Sequence, residues 1–298
     1  MAGSAVDDQT GPRGAGVGAV TWRARAYIVR VHVKEAWHHP ANTGHRPRAV
    51  LRVLRFYFRG YLLNRRTLTP IGDRSKLWAD TTMTSTARVV VGNPPDWSAI
   101  QAWKHLLGPS TLFLDIGANA GTYSLCAAEQ GAMVVAVEPD DDARAKLLEN
   151  AALNGVALEV HSVALADAPG TMRFSRDLGT MNHLLEDDAV HGIDVIVSTV
   201  DAILGDRRAD GVKIDVEGAE RLVLMGASRA MAEGRLPVIQ MEWNGMAEAN
   251  IGEDRGELAE LLDSYGYRLF RPDAHGSFQP FDGSSTSTED VFAVLDRS

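Results

Sequence analysis

The sequence predicts an α/β fold in which helices cover a mostly parallel sheet. Apolar runs alternate with amphipathic segments through most of the chain, a pattern typical of strand–helix–strand units with right-handed crossovers. The run at residues 112–117 leads into a glycine-rich turn and the start of a helix. The run at residues 133–138 is apolar at consecutive positions, which indicates a parallel strand buried on both faces. In such a sheet, ligands bind outside the carboxyl ends of the strands.

Seven strands and four helices make up the predicted core. The strands are expected at residues 112–117, 133–138, 158–164, 211–216, 237–242, 267–271 and 290–295, and the helices at about residues 122–130, 140–153, 219–233 and 254–265. The last strand follows its predecessor through a Gly/Ser/Thr loop rather than a helix, so it is predicted to be antiparallel. Two further strands, at residues 171–175 and 193–197, are expected to flank a loop at residues 177–192.

Three regions are predicted along the chain: a disordered tail at residues 1–20, a basic accessory region at residues 21–92 and the α/β domain at residues 93–298. Residues 21–37 alternate in a way that fits either a strand or a helix. Residues 77–92 are rich in Thr and Val, which predicts a hairpin. Residues 97–107 predict a helix that leads into the first core strand at residues 112–117. The stretch from the hairpin to this helix is expected to border the ligand-binding edge of the sheet.

The clearest element of the accessory region is an amphipathic helix from Arg48 to Asn64. Its basic side consists of Arg48, Arg52, Arg55 and Arg59, and its apolar side of Leu51, Leu54, Phe58, Tyr61 and Leu62. One interpretation is peripheral contact of this helix with an anionic membrane surface. The other is a helix packed on the α/β domain, with its arginines in solvent or paired with acids. The second is favoured because the rest of the chain offers many acidic partners.

Charge is distributed unevenly along the chain. Residues 1–70 contain 12 Lys and Arg against 3 Asp and Glu, whereas the remaining 228 residues contain 18 against 36. The acidic remainder disfavours non-specific binding of nucleic acid, and the basic part favours an anionic partner.

Cysteine usage and apolar run lengths exclude several classes of protein. Cys126 is the single cysteine, so an intrachain disulfide framework and a Cys-rich zinc site are excluded, and it is expected to be a buried apolar residue. No apolar run has the length of a membrane span, and the first 20 residues lack the pattern of a secretory signal. The expected location is therefore the cytoplasm.

The turn after the first core strand has the spacing G-x-N-x-G, formed by Gly117, Asn119 and Gly121. This differs from the G-x-G-x-x-G turn that binds a dinucleotide pyrophosphate. It suits a bulkier group near the backbone, such as the methionyl part of S-adenosylmethionine. Glu138, at the end of the second strand, can accept both hydroxyls of an adenosine ribose. The alternative for Glu138 is a loop acid that caps the following helix.

A third motif places charges at the end of a central strand. Lys213, Asp215 and Glu217 share one face of the strand at residues 211–216. Burying unpaired charges is costly, so these side chains are expected at the carboxyl end of the strand, facing a crevice. The alternative is that Asp215 and Glu217 cap the next helix.

The motifs L-D-I-G-A-N-A-G, V-E-P and K-I-D-V-E-G-A-E together resemble the FkbM-type S-adenosylmethionine-dependent methyltransferases, over roughly residues 111 to 296. The resemblance implies a Rossmann-like class I methyltransferase fold. It also implies contact with S-adenosylmethionine at the positions matching Asp115, Gly117, Asn119, Gly121 and Glu138. Asp167, after the third predicted strand, is either a partner of the adenine amine or a turn residue.

Methyl transfer to a hydroxyl needs a base or a metal ion at the acceptor, because an alcohol has a very high pKa. The candidates for the base are Asp215 and Glu217, followed by Glu242 and then His183, with Lys213 neutralising the acids. Mg²⁺ held by these acids is left open, because hard cations take carboxylate ligands but the acids match no recognisable ligand set.

Trp243 and Asn244 follow Glu242, where an acceptor would stack or form hydrogen bonds. The leading hypothesis is therefore an O-methyltransferase for a sugar or another natural-product alcohol, as the resemblance also implies. N-methylation and carboxyl methylation remain open. A nicotinamide-dependent oxidoreductase is disfavoured by the missing third glycine. A further alternative is a non-catalytic cofactor-binding protein docked by its basic helix.

Overall fold

A computed structural model describes residues 21–175, 184–185, 192–216, 218–243, 255–283 and 290–296. The helices are α1 Trp22–His38, α2 Arg46–Leu63, α3 Thr84–Val91, α4 Trp97–Leu106, α5 Thr122–Glu129, α6 Asp141–Leu153, α7 Val200–Leu204, α8 Glu220–Met225, α9 Ser228–Ala232 and α10 Arg255–Ser264. The strands are β1 Thr67–Ile71, β2 Ser75–Ala79, β3 Leu112–Ile116, β4 Met133–Val137, β5 Glu159–His161, β6 Ala164–Leu165, β7 Gly170–Ser175, β8 Leu184–Leu185, β9 Gly192–Ser198, β10 Gly211–Ile214, β11 Val238–Met241, β12 Tyr267–Pro272, β13 Phe278–Pro280 and β14 Val291–Leu295.

The main sheet has eight strands in the order β13-β12-β14-β11-β10-β3-β4-β5. Strands β5, β4, β3, β10 and β11 run parallel, and β14 lies antiparallel between β11 and β12. The seven predicted strands and the antiparallel last strand are therefore confirmed. The eighth strand, β13, is a three-residue addition at the edge. Its Phe-Gln-Pro sequence is too short to show the apolar–polar alternation by which a strand is recognised in a sequence.

The chain leaves the main sheet after β5 and enters a second, four-stranded sheet of order β6-β9-β7-β8. The predicted strand at 158–164 is thus divided between two sheets. The predicted extra strands are confirmed as β7 and β9, which pair antiparallel. The predicted helix at 219–233 is also divided, into α8 and α9. A Cβ atom on Gly226 would lie 2.1 Å from the carbonyl oxygen of Ala166. The predicted helix is therefore interrupted at a glycine where two backbone segments approach closely.

The accessory region contains a helix where a hairpin was predicted. The stretch predicted as strand or helix forms helix α1, Trp22–His38, and the observed hairpin pairs β1 with β2. The predicted hairpin at 77–92 is wrong, because residues 84–91 form α3. Its valines favour a strand by propensity, but Val89, Val90 and Val91 are all buried in the main hydrophobic cluster. Tertiary packing therefore outweighs local preference here.

Helix α2 packs with a face that the sequence pattern did not single out. Its buried residues are Ala49, Val53, Phe56 and Tyr57. Arg52 lies at this interface, where its guanidinium donates to the carbonyl oxygens of Val90 (2.8 Å) and Val91 (3.2 Å) at the end of α3. The four predicted arginines were expected either in solvent or paired with acids, and within the described residues none of them forms an ion pair.

One hydrophobic cluster joins the accessory region to the α/β core. It includes Phe56 and Leu77 from the accessory region and Phe113 and Leu125 from the core. Cys126 belongs to the same cluster, and its burial raises the pKa of the thiol, so it is the expected buried apolar residue. Among the helices that the structure describes, none combines the length and apolar character needed to cross a membrane.

Candidate functional site

The glycine turn lies at the carboxyl end of β3, against the end of β10. Gly117 and Gly121 have φ angles of +77° and +92°, and Asn119 has a φ of +50°. A Cβ atom on Gly117 would lie 1.9 Å from the carbonyl oxygen of Asp215. Glycine is required at position 117 both by the backbone conformation and by this close approach. The turn is thereby fixed directly beside the third motif.

The accessory region contacts this turn. The side-chain oxygen of Asn119 accepts hydrogen bonds from its neighbour Ala120 N (2.8 Å) and from Ser85 Oγ (2.9 Å), which belongs to α3. Asn150 joins the turn to the hairpin, since its amide donates to Ala120 O (2.9 Å) and accepts from Trp78 N (2.9 Å). These bonds place Trp78 and Ser85 beside the glycine turn, and that this stretch borders a ligand-binding edge stays a prediction.

Glu138 is buried at the tip of β4 and faces the turn. Its Oε2 accepts the backbone N–H of Asn119 (2.8 Å), and its Oε1 accepts that of Asp140 (2.9 Å). Burial raises the pKa of Glu138 to about 7. The capping alternative is wrong, because Asp140 caps α6 by accepting from Ala143 N. Each Glu138 oxygen retains a lone pair for a further donor.

Asp115 lies beneath the turn and is buried. Its Oδ2 accepts from Ser124 Oγ (2.6 Å) in the first turn of α5. Burial raises the pKa of Asp115, although the charge of Lys213 opposes this effect. Asp115 therefore supports the turn from below and is 1% exposed.

Lys213 and Asp215 form an ion pair at the end of β10, with Nζ and Oδ2 separated by 2.6 Å. The Lys213 side chain is 5% exposed and that of Asp215 is 43% exposed, so the pair reaches from the interior to the mouth of the site. Burial opposes the charge on Lys213, but the carboxylates of Asp215 and Asp115 outweigh it and raise the pKa of the ammonium. The capping alternative for Asp215 is not observed, since α8 has no side-chain cap.

Four polar side chains that were not predicted line the same edge: Asp96, Tyr123, Gln240 and Asp290. Gln240 Nε2 donates to Tyr123 Oη (2.9 Å) and to Asp290 Oδ2. Tyr123 Oη lies 3.2 Å from Asp96 Oδ2 and 3.5 Å from Asp290 Oδ2. Burial, followed by the charge of Asp96, raises the pKa of Asp290 to about 7. This group is called the Asp290 cluster below.

The Asp290 cluster adjoins Lys213, whose ammonium lies 4.6 Å from the centre of the Tyr123 ring. Asp290 reaches this edge because β14 is antiparallel to β11. The first residue of β14, Val291, therefore pairs with the last residue of β11, Met241, and Asp290 directly precedes it. The available signal in the sequence was an acid at the first position of the predicted antiparallel strand at residues 290–295.

The other predicted residues have different surroundings. Glu242 is half-buried directly after β11, and Asp167 is exposed after β6 in the second sheet. Trp243 is fully buried against Phe281, so the prediction that it contacts an acceptor is wrong. The remaining candidates, Glu217, His183 and Asn244, fall outside the described residues. Over the described part of the chain, no group of three or more His, Cys, Asp or Glu is arranged to hold a metal ion.

Comparison with known proteins matches the Methyltransferase FkbM domain to residues 115–269. AMB antimetabolite synthetase AmbE of Pseudomonas aeruginosa is 28% identical over a 215-residue alignment that covers 57% of this chain and 10% of that protein. Ribosomal protein L11 methyltransferase of Geobacter metallireducens is 42% identical over 65 residues, 22% of each protein. The chain thus matches about a tenth and about a fifth of these relatives' lengths.

A crystal structure of precorrin-6y C5,15-methyltransferase from Geobacter metallireducens aligns with a TM-score of 0.39 at 14% identity, covering 72% of this chain and 93% of that one. The FkbM domain match spans more than half of the present chain and contains the glycine turn, Glu138 and the Lys213–Asp215 pair. The chain therefore belongs to the FkbM methyltransferase family.

Proposed function

We propose that this protein transfers the methyl group of S-adenosylmethionine to a hydroxyl of a small molecule, a sugar or another natural-product alcohol. The observation that carries the proposal is the Asp290 cluster, which places a proton acceptor at the carboxyl edge of the sheet beside the glycine turn. Family membership supports the donor. The name of the Pseudomonas relative, an antimetabolite synthetase, supports a natural-product acceptor. The acidic body disfavours a nucleic acid.

The residues around the turn fit S-adenosylmethionine. The turn of Gly117, Asn119 and Gly121 places its backbone at the carboxyl end of β3, and Asp115 supports it from below. The two oxygens of Glu138 have free lone pairs for the ribose hydroxyls. Asp167 is retained as the proposed adenine partner. When bound, this cofactor supplies a methyl group on a positively charged sulfur. The sulfur becomes a neutral thioether when the methyl group is transferred, so this leaving group needs no proton.

The acceptor hydroxyl must lose its proton as its oxygen bonds to the methyl carbon and the carbon–sulfur bond breaks. We assign this proton to the carboxylate of Asp290, since a base with a pKa near the working pH transfers protons best. Asp215 is held by Lys213 and is proposed to orient the acceptor. Glu217 and Glu242 stand as the alternative bases. No step requires Mg²⁺.

The first prediction concerns cofactor affinity and its pH dependence. We expect Glu138→Ala to weaken binding of S-adenosylhomocysteine by about a hundredfold, because two charge-assisted hydrogen bonds are lost. In the native protein, affinity should rise roughly tenfold from pH 6 to pH 8, as the fraction of ionised Glu138 increases through a pKa of about 7. Glu138→Gln should abolish this rise.

Isothermal titration calorimetry with S-adenosylhomocysteine, and separately with NAD⁺, measures these effects. Glu159→Ala is a matched control, because Glu159 is an exposed acid paired with Arg207 away from the turn. Binding of NAD⁺ in place of S-adenosylhomocysteine would contradict the proposed cofactor.

The second prediction concerns the base. With radiolabelled S-adenosylmethionine, label should pass to sugars or polyketide alcohols in preference to matched amines, carboxylic acids and RNA. For the acceptor so found, Asp290→Asn should lower kcat/KM by about a hundred- to a thousandfold and remove the rise in rate with pH up to about 7.

The groups that face Asp290 allow a control. Besides burial, the pKa of Asp290 depends on Asp96, Lys213, Asp215 and Gln240, and Tyr123 donates a hydrogen bond to the same carboxylate. Asp96→Asn removes a repelling charge, so the rate should start to rise at a lower pH while the maximal rate persists. Activity of Asp290→Asn with an unaltered pH profile would assign the base to Asp215, Glu217 or Glu242, which the corresponding Asn or Gln variants distinguish.

A further inference from the structure

The outward side of α2 is apolar and exposed. Leu51, Leu54, Phe58 and Leu62 are 44–71% exposed, whereas the helix packs on the protein with its opposite side. Arg48 and Arg55 lie among these residues and are also exposed. We call these six residues the α2 outer face. Four large apolar side chains on one side of one helix exceed the scattered exposure that is ordinary for a soluble domain.

The charge around this face is strongly positive. Residues 21–66 contain eleven Lys and Arg and a single acid, Glu35. Within the described residues, Arg48 and Arg55 make no ion pair, unlike Arg66, which binds Glu149 through two hydrogen bonds of 2.5 and 2.8 Å. The acidic body therefore leaves the charges of the α2 outer face available.

Helix α1 packs beside α2 and adds exposed aromatic side chains. Trp22 and Tyr27 are 74% and 69% exposed, and Trp37 carries the guanidinium of Arg46 above its ring at 5.9 Å. Aromatic rings with a polar edge are favoured at the boundary between lipid headgroups and acyl chains. An 18-residue helix such as α2 is about 27 Å long, so it can lie flat along such a boundary.

We propose that the α2 outer face docks the protein on the surface of a membrane that contains anionic lipids. The apolar side chains enter the boundary with the acyl chains, and Arg48 and Arg55 contact lipid phosphates. A second copy of the chain is a poorer occupant, because two such faces would bring like charges together. This proposal is independent of the proposed methyl transfer, since among the described residues no hydrogen bond or ion pair joins the α2 outer face to the glycine turn or to the Asp290 cluster.

The test is flotation of the purified protein with two kinds of vesicle, one of dioleoylphosphatidylcholine alone and one that also contains roughly 30% dioleoylphosphatidylglycerol. Binding is expected only to the anionic vesicles and should weaken as salt is raised. Removing residues 1–70 is unsuitable, because Phe56 belongs to the shared core. Point variants at exposed positions avoid this problem.

The triple variant Leu51→Ser, Phe58→Ser, Leu62→Ser should lower vesicle partitioning at least tenfold, and Arg48→Glu with Arg55→Glu roughly thirtyfold or more. The matched control is Leu148→Ser with Ile196→Ser, whose side chains are 50% and 66% exposed elsewhere. It should bind as the native protein does. Circular dichroism and S-adenosylhomocysteine titration report that each variant is folded.

Two outcomes would overturn the proposal. The first is native protein that stays with the soluble fraction at low salt with anionic vesicles. The second is equal binding by the triple variant and the control. A change from dimer to monomer in the triple variant, measured by light scattering, together with the first outcome would assign the face to a second copy. Failure of methyl transfer would leave these results unaffected.

Discussion

Gly117→Ala is expected to lower the free energy of unfolding by about 3 kcal/mol and to abolish measurable cofactor binding. A residue with a side chain in the left-handed region costs about 1–2 kcal/mol, and an overpacked contact adds about 1–3 kcal/mol. Both apply, since Gly117 has a φ of +77° and its added Cβ would lie 1.9 Å from Asp215 O. The turn must move away from β10, which displaces the backbone that would face the cofactor.

Gly155→Ala separates these two contributions. Gly155 has a φ of +64°, but no atom lies within 4 Å of the position of its Cβ. The loss should therefore be only about 1 kcal/mol, with S-adenosylhomocysteine binding retained. Urea unfolding and calorimetric titration provide both readouts. Equal losses of stability in the two variants would contradict the role given to the close approach.

Lys213→Met is expected to have the largest effect on stability, about 3–5 kcal/mol at pH 8, because it leaves buried carboxylates without their counter-ion. The pKa of Asp115 is already raised by burial and is kept from rising further by Lys213. In the Lys213→Met variant, Asp115 therefore stays protonated in the folded protein at pH values where the unfolded chain has already released this proton, that is, above the ordinary pKa of about 4. The sign follows from this difference: the variant should lose stability as the pH rises from 5 to 8.

Two further variants check the cause. Lys104→Met breaks an exposed pair, in which Nζ lies 2.8 Å from Asp73 Oδ2, and should cost under about 1 kcal/mol. Asp115→Asn combined with Lys213→Met should recover part of the loss and flatten the pH dependence. Urea unfolding at pH 5 and pH 8 measures all of these. A Lys213→Met loss that does not vary with pH would contradict this electrostatic account.

The parallel core could be predicted because its signals are local. Strand β4 is apolar at every position, and the turn at Gly117 and Gly121 needs glycine for conformational reasons that apply in any context. The position of Glu138 follows from the same strand–turn–helix unit. These features depend on short segments of sequence, so reading them requires no knowledge of distant contacts.

The Asp290 cluster and α3 could not be predicted because they depend on long-range packing. Asp290 meets Tyr123 only because β14 is inserted antiparallel beside β11. The valines of α3 are helical because they pack into a cluster built from distant segments. Most of the predicted apolar side of α2 is exposed rather than packed, because periodicity alone does not reveal which side of a helix meets the protein.

The two ends of α3 have different partners, and this limits how the protein can be divided. Arg52 on α2 binds the carbonyl oxygens at one end of α3, and Ser85 at the other end binds Asn119 in the glycine turn. A fragment that began at residue 93 would keep the whole methyltransferase sheet and still lose a side chain that holds the turn. In evolution or in engineering, the N-terminal region is therefore exchangeable only together with α3, or with a replacement that presents a hydroxyl to Asn119.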